Sequence, residues 1–168
     1  MTKPFVAVLM GSDSDLPTMQ ATLDTLTSLG VPWEVKITSA HRTPAATTEF
    51  VSSAEARGCQ VFIAAAGLAA HLTGAVAAHT LRPVIGVPME GGPLSGFDSL
   101  LSTVMMPGGI PVASVAVGKA GARNAAYLAA QILACNDEAL FQRLKAEREA
   151  NAQQIIAKNE ALQAKLKG

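Results

Sequence analysis

The stretch Phe5-Val-Ala-Val-Leu-Met10, followed by Gly11-Ser-Asp-Ser-Asp15, decides how the rest of the sequence is interpreted. An apolar run that ends abruptly at a Gly/Ser/Asp turn is typical of a strand buried on both faces of a parallel sheet. Pro17 then opens a segment with helical spacing of apolar residues up to Leu29, and Gly30 ends it. A strand, a turn and a helix in this order leave backbone N–H groups and the positive end of the helix dipole facing outward, which favours an anion.

The same pattern returns at the next predicted strand. Val35-Lys-Ile-Thr38 leads into Ser39-Ala-His-Arg42, and Thr43 and Pro44 then provide an N-cap and a first helical residue. If the two strands are neighbours in a parallel sheet, both turns lie at the carboxyl edge, where open α/β sheets bind ligands. We therefore expect the side chains of the two turns to converge on one pocket.

Strands and helices alternate along the remainder of the chain, and this alternation favours parallel pairing with right-handed crossovers. The predicted fold is α/β, a three-layer αβα sandwich around a five-stranded parallel sheet with flavodoxin-like strand order. The loop from Met89 to Gly96 is rich in Gly and Pro, and we expect it to act as a lid. After the first strand, further strands are predicted over 33–38, 61–65, 84–87 and 112–117, and helices over 16–29, 44–57, 72–80, 97–104 and 118–135.

The end of the chain differs from the body. Residues 1–135 form the predicted α/β catalytic domain, and residues 136–168 form a C-terminal helix with a sparse apolar stripe. Such a helix is marginally stable alone, so we expect it to protrude and pack on a neighbouring subunit. The body also carries few charged side chains for its length, as expected where surface is hidden against other copies of the chain.

Composition narrows the class of partner. With 13 basic and 13 acidic residues the net charge is zero, which disfavours nucleic acid and anionic membranes and favours a small molecule. The apolar run before Gly11 is too short for a signal-peptide core or a membrane span, so a cytoplasmic protein is expected. Cys59 and Cys135 lack the spacing of a zinc site or a disulfide framework, and both are expected in the core.

Several catalytic motifs are missing from the sequence, including a Walker loop, a GxGxxG after a strand, HExxH and GxSxG. We therefore predict neither a metal nor a cofactor. Of the three histidines, His41 is favoured for proton transfer because it lies in a strand-to-helix turn beside an arginine, and free imidazole titrates near neutrality. His71 follows a turn of small residues, and its role stays open between structure and function. His79 is expected to be structural.

The residues around His41 allow two interpretations each. Arg42 offers a planar fork that suits a phosphate or carboxylate, or else it forms a surface salt bridge. Ser12 and Ser39 either donate to phosphate oxygens or cap their turns. A phosphate would repel the carboxylate of Asp15, so a functional role for that residue is to accept hydrogen bonds from sugar hydroxyls. The residues alone indicate a phosphorylated sugar or nucleotide held beside a histidine.

Seven short blocks lie along nearly the whole chain: Met10-Gly-Ser-Asp-Ser-Asp15, Ser39-Ala-His-Arg-Thr-Pro44, Ala69-Ala-His-Leu72, Pro83-Val-Ile-Gly-Val-Pro88, Asp98-Ser-Leu-Leu-Ser102, Met106-Pro-Gly-Gly-Ile-Pro111 and Gly118-Lys-Ala-Gly121. Together these blocks resemble one family, the bacterial N5-carboxyaminoimidazole ribonucleotide mutases, also called PurE. The resemblance implies a homo-octamer of purine biosynthesis that binds a ribonucleotide and CO₂ and uses no cofactor. It implies that the carboxylate on the exocyclic nitrogen of the imidazole moves to carbon 4 of the ring.

The same resemblance implies roles for individual residues. His41 is the implied catalytic group, which protonates the carbamate nitrogen as CO₂ leaves and later removes the proton from carbon 4. Leu68 and Thr73 depart from the family pattern, which commonly has glycine and proline at these positions. The implied substrate-binding residues are Ser12, Ser39 and Arg42 around the phosphate, Asp15 at the ribose, and Gly67 and His71 around the carboxylate and the trapped CO₂.

Two other functions stay open from the sequence. The related carboxylase branch takes free CO₂ and aminoimidazole ribonucleotide, and it typically has lysine after the histidine, where this chain has Arg42. A non-enzymatic flavodoxin-like module for a nucleotide or flavin would make His41 incidental. With aromatic residues at only 4%, few side chains are available to stack on a flavin ring.

Overall fold

The structure is a computed structural model and describes residues 4–167. At its centre lies a five-stranded sheet with the strand order β2-β1-β3-β4-β5. Every neighbouring pair of strands is parallel. This is the flavodoxin-like order, so the predicted fold class is confirmed. The strands are β1 Phe5–Met10, β2 Trp33–Ile37, β3 Cys59–Ala66, β4 Val84–Pro88 and β5 Ala113–Ser114.

Helices cover both faces of the sheet. Val6 and Val8 of β1 pack in a core cluster with residues of the first and fifth helices, while Ala7 and Leu9 pack on the opposite face with residues of the second and third. Because β1 is buried on both faces, its sequence shows no alternation of apolar and polar residues. The helices are α1 Leu16–Ser28, α2 Pro44–Ala56, α3 His71–Ala77, α4 Phe97–Val104, α5 Gly118–Ala134 and α6 Glu138–Lys167.

The carboxyl ends of three adjacent strands are level with one another. Met10 at the end of β1 pairs with Ile37 of β2 on one side and with Ala65 of β3 on the other. Just beyond, the backbone N–H of Thr38 donates to the Met10 carbonyl at 2.9 Å, and that of Gly11 donates to the Ala65 carbonyl at 3.3 Å. The turns that follow β2, β1 and β3 therefore begin side by side at one edge.

A few features differ from the sequence predictions. The fifth strand is shorter than the predicted range 112–117. It is an edge strand, and it pairs with β4 only over Ala113–Ser114. Cys59 is buried at the start of β3 as expected, but the prediction for Cys135 is wrong, because this residue is the exposed C-cap of α5. Across residues 4–167 the structure contains no helix with the length and apolar character of a membrane span.

The C-terminal helix α6 has two parts. Leu140 is only 2% exposed, and Nε of Arg143 donates to the carbonyl of Leu29 at 2.9 Å. The hydroxyl of Tyr127 donates to Oε1 of Glu147 at 2.5 Å. The first turns of α6 therefore pack on the body of their own chain, whereas residues 148–167 are exposed throughout and form the predicted protrusion.

Candidate active site

The side chains of His41 and His71 meet at the carboxyl edge of the sheet. Nε2 of His41 lies 2.5 Å from Nδ1 of His71, and the two ring planes are 76° apart. His41 follows β2 and His71 begins α3, after β3, so the rings meet across the end of β1. One nitrogen must donate and the other must accept, because only one proton fits between them. With both rings fully protonated, two N–H groups would face each other, so the intact contact holds at most one extra proton.

Threonine hydroxyls hold the turn that carries His41. The Ser39 N–H donates to Oγ1 of Thr43 at 2.9 Å, and the Thr43 N–H donates to the Ser39 carbonyl at 2.9 Å. The buried hydroxyl of Thr38 lies 3.1 Å from that of Thr43 and 2.7 Å from that of Thr47. Thr43 takes the predicted N-cap position of α2, but its hydroxyl bonds within the turn instead of capping the helix. The sequence signal for this cluster is the set of threonines around the turn, Thr38 after the strand, Thr43 before the helix and Thr47 within it.

The turn after β1 is closed by its own polar side chains. Oγ of Ser12 accepts from the Ser14 N–H at 3.2 Å, and Oδ2 of Asp15 accepts from the Ser12 N–H at 3.2 Å. The capping interpretation of Ser12 is thus realised in the structure, and Asp15 closes the same turn. Burial raises the pKa of Asp15, while hydrogen bonds from the backbone of Ser12 and Gly11 act in the opposite direction and the nearby charge of Asp13 adds to the rise.

Arg42, the residue after His41 in the turn, is exposed. The ion pairs within residues 4–167 join Arg57 to Glu34 and Arg82 to Glu55, so the surface salt bridge considered for Arg42 is not formed there. The backbone N–H of Arg42 donates to the Ser39 hydroxyl at 3.1 Å. The fork of Arg42 is therefore available to an anion at this edge.

The turn before His71 has a strained backbone. Leu68 has φ of 53° and Ala70 has φ of 46°, left-handed values that cost non-glycine residues about 1–3 kcal/mol each. The N–H of Ala70 donates to the Gly67 carbonyl at 2.9 Å and closes the turn. Strained residues of this kind often cluster at functional sites, and here they set where His71 begins α3.

The third histidine lies elsewhere. Nε2 of His79 is 3.2 Å from the hydroxyl of Thr48, beyond the last residue of α3. His79 therefore links α3 to α2 and has no part in the histidine pair, in agreement with the structural role expected for it.

In the single chain the site is an open surface. His41, Arg42, Gly67 and His71 are exposed, while Ser12, Asp15 and Ser39 are half-buried. A cavity of about 1410 Å³ between α1, α5 and α6 is lined by none of these seven residues. Within residues 4–167, no three His, Cys, Asp or Glu side chains are grouped so that they could hold a metal ion.

The flavodoxin-like sheet defines the class, an open α/β protein that binds its ligand at the carboxyl ends of the strands. The histidine pair and Arg42 lie in the turns at this edge. The family model described as AIR carboxylase matches residues 5–154, and the chain belongs to this family. The family predicted from the sequence blocks is thereby confirmed.

Proteins of named function are similar to this chain over most of their length. The N5-carboxyaminoimidazole ribonucleotide mutase of Bacillus subtilis is 51% identical over 160 residues, which are 95% of this chain and 99% of the relative. The enzyme of the same name from Escherichia coli (strain K12) is 54% identical over 151 residues, 90% of this chain and 89% of the relative. The crystal structure of Treponema denticola PurE matches with a TM-score of 0.86 and 31% identity, covering 95% of this chain and 99% of that one.

Proposed function

We propose that the chain is an N5-carboxyaminoimidazole ribonucleotide mutase, an isomerase that converts the N5-carboxy ribonucleotide into 4-carboxy-5-aminoimidazole ribonucleotide. The observation that carries the proposal is the contact between His41 and His71 at the ligand edge of the sheet. Two relatives that share about half of their residues with this chain bear the mutase name. The reaction belongs to purine biosynthesis.

The chemistry needs one group that gives a proton and takes one back. In the first step the bond between the exocyclic nitrogen and the carboxyl carbon breaks, its electron pair stays on nitrogen, and His41 delivers a proton there as CO₂ leaves. In the second step carbon 4 of the ring attacks CO₂, and the proton on carbon 4 returns to His41. The proton balance closes within one turnover, so one imidazole serves as acid and then as base.

The neighbouring side chains suit the rest of the substrate. Arg42 has a guanidinium without an ion-pair partner in residues 4–167, and it is proposed to bind the phosphate together with Ser12 and Ser39. Asp15 is proposed to accept from the ribose hydroxyls. Gly67 and His71 are proposed to border the carboxylate and CO₂, because the turn between them leads directly to the histidine pair.

Assembly and location belong to the same proposal. Apolar side chains stand exposed on α4, where Phe97 is 67% exposed, at its C-cap Met105, which is 77% exposed, and on α6, where Ile155 is 65% exposed. We propose a homo-oligomer, an octamer by the family resemblance, in which residues 148–167 pack on a neighbouring subunit and the open site gains further walls.

A cytoplasmic location fits the two free cysteines, Cys59 and Cys135, which a reducing compartment keeps as thiols.

The carboxylase reaction is the second candidate, because the matching family model bears that description. Arg42 after His41 favours the mutase, by its likeness to the mutase branch. The two reactions differ in their substrates, so one experiment separates them. The purified protein is supplied either with the N5-carboxy ribonucleotide or with aminoimidazole ribonucleotide plus bicarbonate, and carboxylated product is followed. We expect fast product formation from the first substrate only; fast formation from the amine and bicarbonate would assign the carboxylase, and no product from either would reject both.

A further inference from the structure

The side chain of Leu68 joins the turn after β3 to the loop between β4 and α4. Gly92 in that loop has φ of +65°, and a Cβ built on it would lie 2.6 Å from Cδ2 of Leu68. A methyl group of Leu68 therefore fills the space that any larger residue at position 92 would need. Closer to the sheet, a backbone hydrogen bond also joins the turn to the loop. In it, the Met89 N–H donates to the Ala66 carbonyl at 3.0 Å.

Hydrogen bonds fix the two ends of this loop, whereas its middle is exposed. The hydroxyl of Ser99 lies 2.9 Å from the carbonyl oxygens of both Met89 and Gly96, and its proton holds the two ends of the loop together. Residues 90–95 between those ends are exposed. The contact of Leu68 with Gly92 thus falls on the exposed part of the loop, away from its anchors.

Leu68 is an unfavourable residue for its position on folding grounds alone. Its φ of 53° is a left-handed value that glycine adopts without strain, and its side chain remains 56% exposed. A leucine here therefore contributes little to the core of its own chain. The packing of its side chain over Gly92 is the contact in the structure that can offset this strain.

The position of Leu68 relies on the same turn as the histidine pair. Leu68 precedes His71 by one short turn, which the hydrogen bond from the Ala70 N–H to the Gly67 carbonyl closes at 2.9 Å. His71 in turn contacts His41. Leu68 consequently lies in the short turn that connects the contact with Gly92 to the histidine pair.

We propose that Leu68 is a positioning residue that packs over Gly92, holds the 89–96 loop against the turn after β3, and so retains CO₂ between the two chemical steps. The inference rests on the proposed mutase function. Retention matters because CO₂ is neutral and diffuses away quickly, so recapture is fast only while it stays beside the ring.

The test follows the fate of the carboxyl carbon. The N5-carboxy ribonucleotide labelled with ¹³C in its carboxylate is converted in a buffer with unlabelled bicarbonate, and the label in the product and the amine released are measured. Amine formed without enzyme is subtracted. Leu68→Ala removes the side chain and keeps the strained backbone position, Leu68→Gly removes both, and Leu68→Met keeps a long apolar side chain.

We expect the native chain and Leu68→Met to retain the label, and Leu68→Ala and Leu68→Gly to lose most of it and to release several-fold more amine per product. Equal retention in Leu68→Ala and the native chain would overturn the inference, and so would loss confined to Leu68→Gly, because backbone freedom would then be the cause. Absence of labelled product from the native chain would instead reject the mutase function itself.

Discussion

His41 and His71 share one hydrogen bond across the end of β1, with Nε2 of the first ring 2.5 Å from Nδ1 of the second. The bond ties the protonation of the two rings together, because the nitrogen that donates fixes the other as the acceptor. The tautomer of a histidine is set by the bond that its ring nitrogens make. The contact with His71 therefore restricts the orientation of the His41 ring, and the donor and acceptor roles of the two nitrogens depend on each other.

Replacing His71 with asparagine should lower kcat more than it raises KM. The shorter amide leaves the His41 ring without its partner, and misplacement of a reacting group costs about 10²-fold in rate. Steady-state kinetics measure kcat and KM of the variant and of the native chain. His79→Asn is the matched control, since His79 bonds to Thr48 outside the pair; equal kinetics in the two variants would contradict the role of His71.

Replacing Arg42 with alanine should weaken substrate binding with a smaller effect on kcat. A hydrogen bond to a charged group contributes about 1.5–3 kcal/mol, so the apparent affinity should fall by roughly ten- to 150-fold. Inorganic phosphate should also compete less well with substrate in this variant than in the native chain. Arg57→Ala is the control for removal of one positive charge, because Arg57 pairs with Glu34 instead. An affinity equal to that of the control would exclude the phosphate role.

Replacing Asp15 with asparagine should change how stability depends on pH. Burial raises the pKa of this carboxyl above its ordinary value of 3.8. The folded chain then binds more protons than the unfolded chain between the two pKa values, so this group lowers stability as pH rises through that window. Asp15→Asn cannot ionise, and it should gain stability relative to the native chain between acidic and neutral pH. Urea unfolding at both ends of this range measures the difference, and a difference that stays constant with pH would contradict the assignment.

Removing residues 148–168 should lower the number of subunits without unfolding the body. Leu140 and Arg143 pack within their own chain, so a chain that ends after Glu147 keeps these contacts. Light scattering measures the assembly and circular dichroism checks the fold. A full-length chain with Ile155 and Ile156 replaced by glutamine is the control for the apolar stripe. An unchanged assembly in both variants would show that the end of α6 does not join subunits.

The turns of the candidate site were predictable because each follows a strand of simple pattern. The run from Phe5 to Met10 is apolar throughout since both of its faces are buried, and its end at Gly11 is marked in the sequence. The placement of the turns on one edge followed from parallel pairing alone. The direct contact of His41 with His71 did not, because it depends on the strained backbone at the start of α3, which the sequence pattern does not encode.

Other features depend on contacts that sequence periodicity does not encode. Leu140 of α6 is buried although its helix is mostly polar, because Leu144 and the hydrogen bonds from Arg143 to Leu29 and from Tyr127 to Glu147 also dock the first turns. Cys135 is exposed because it happens to fall at the C-cap of α5. The meeting of Leu68 with Gly92 joins two turns separated in the chain by β4, and only the folded arrangement reveals it.

The central claim is that His41 carries the proton in both chemical steps, and His41→Asn tests it most directly. Turnover of the N5-carboxy ribonucleotide and its equilibrium binding are measured side by side, with the native chain as reference. Because the variant loses the proton carrier and keeps Arg42, turnover should fall by at least about 10²–10⁴-fold while the ribonucleotide still binds. Turnover within a few-fold of the native rate would contradict the account.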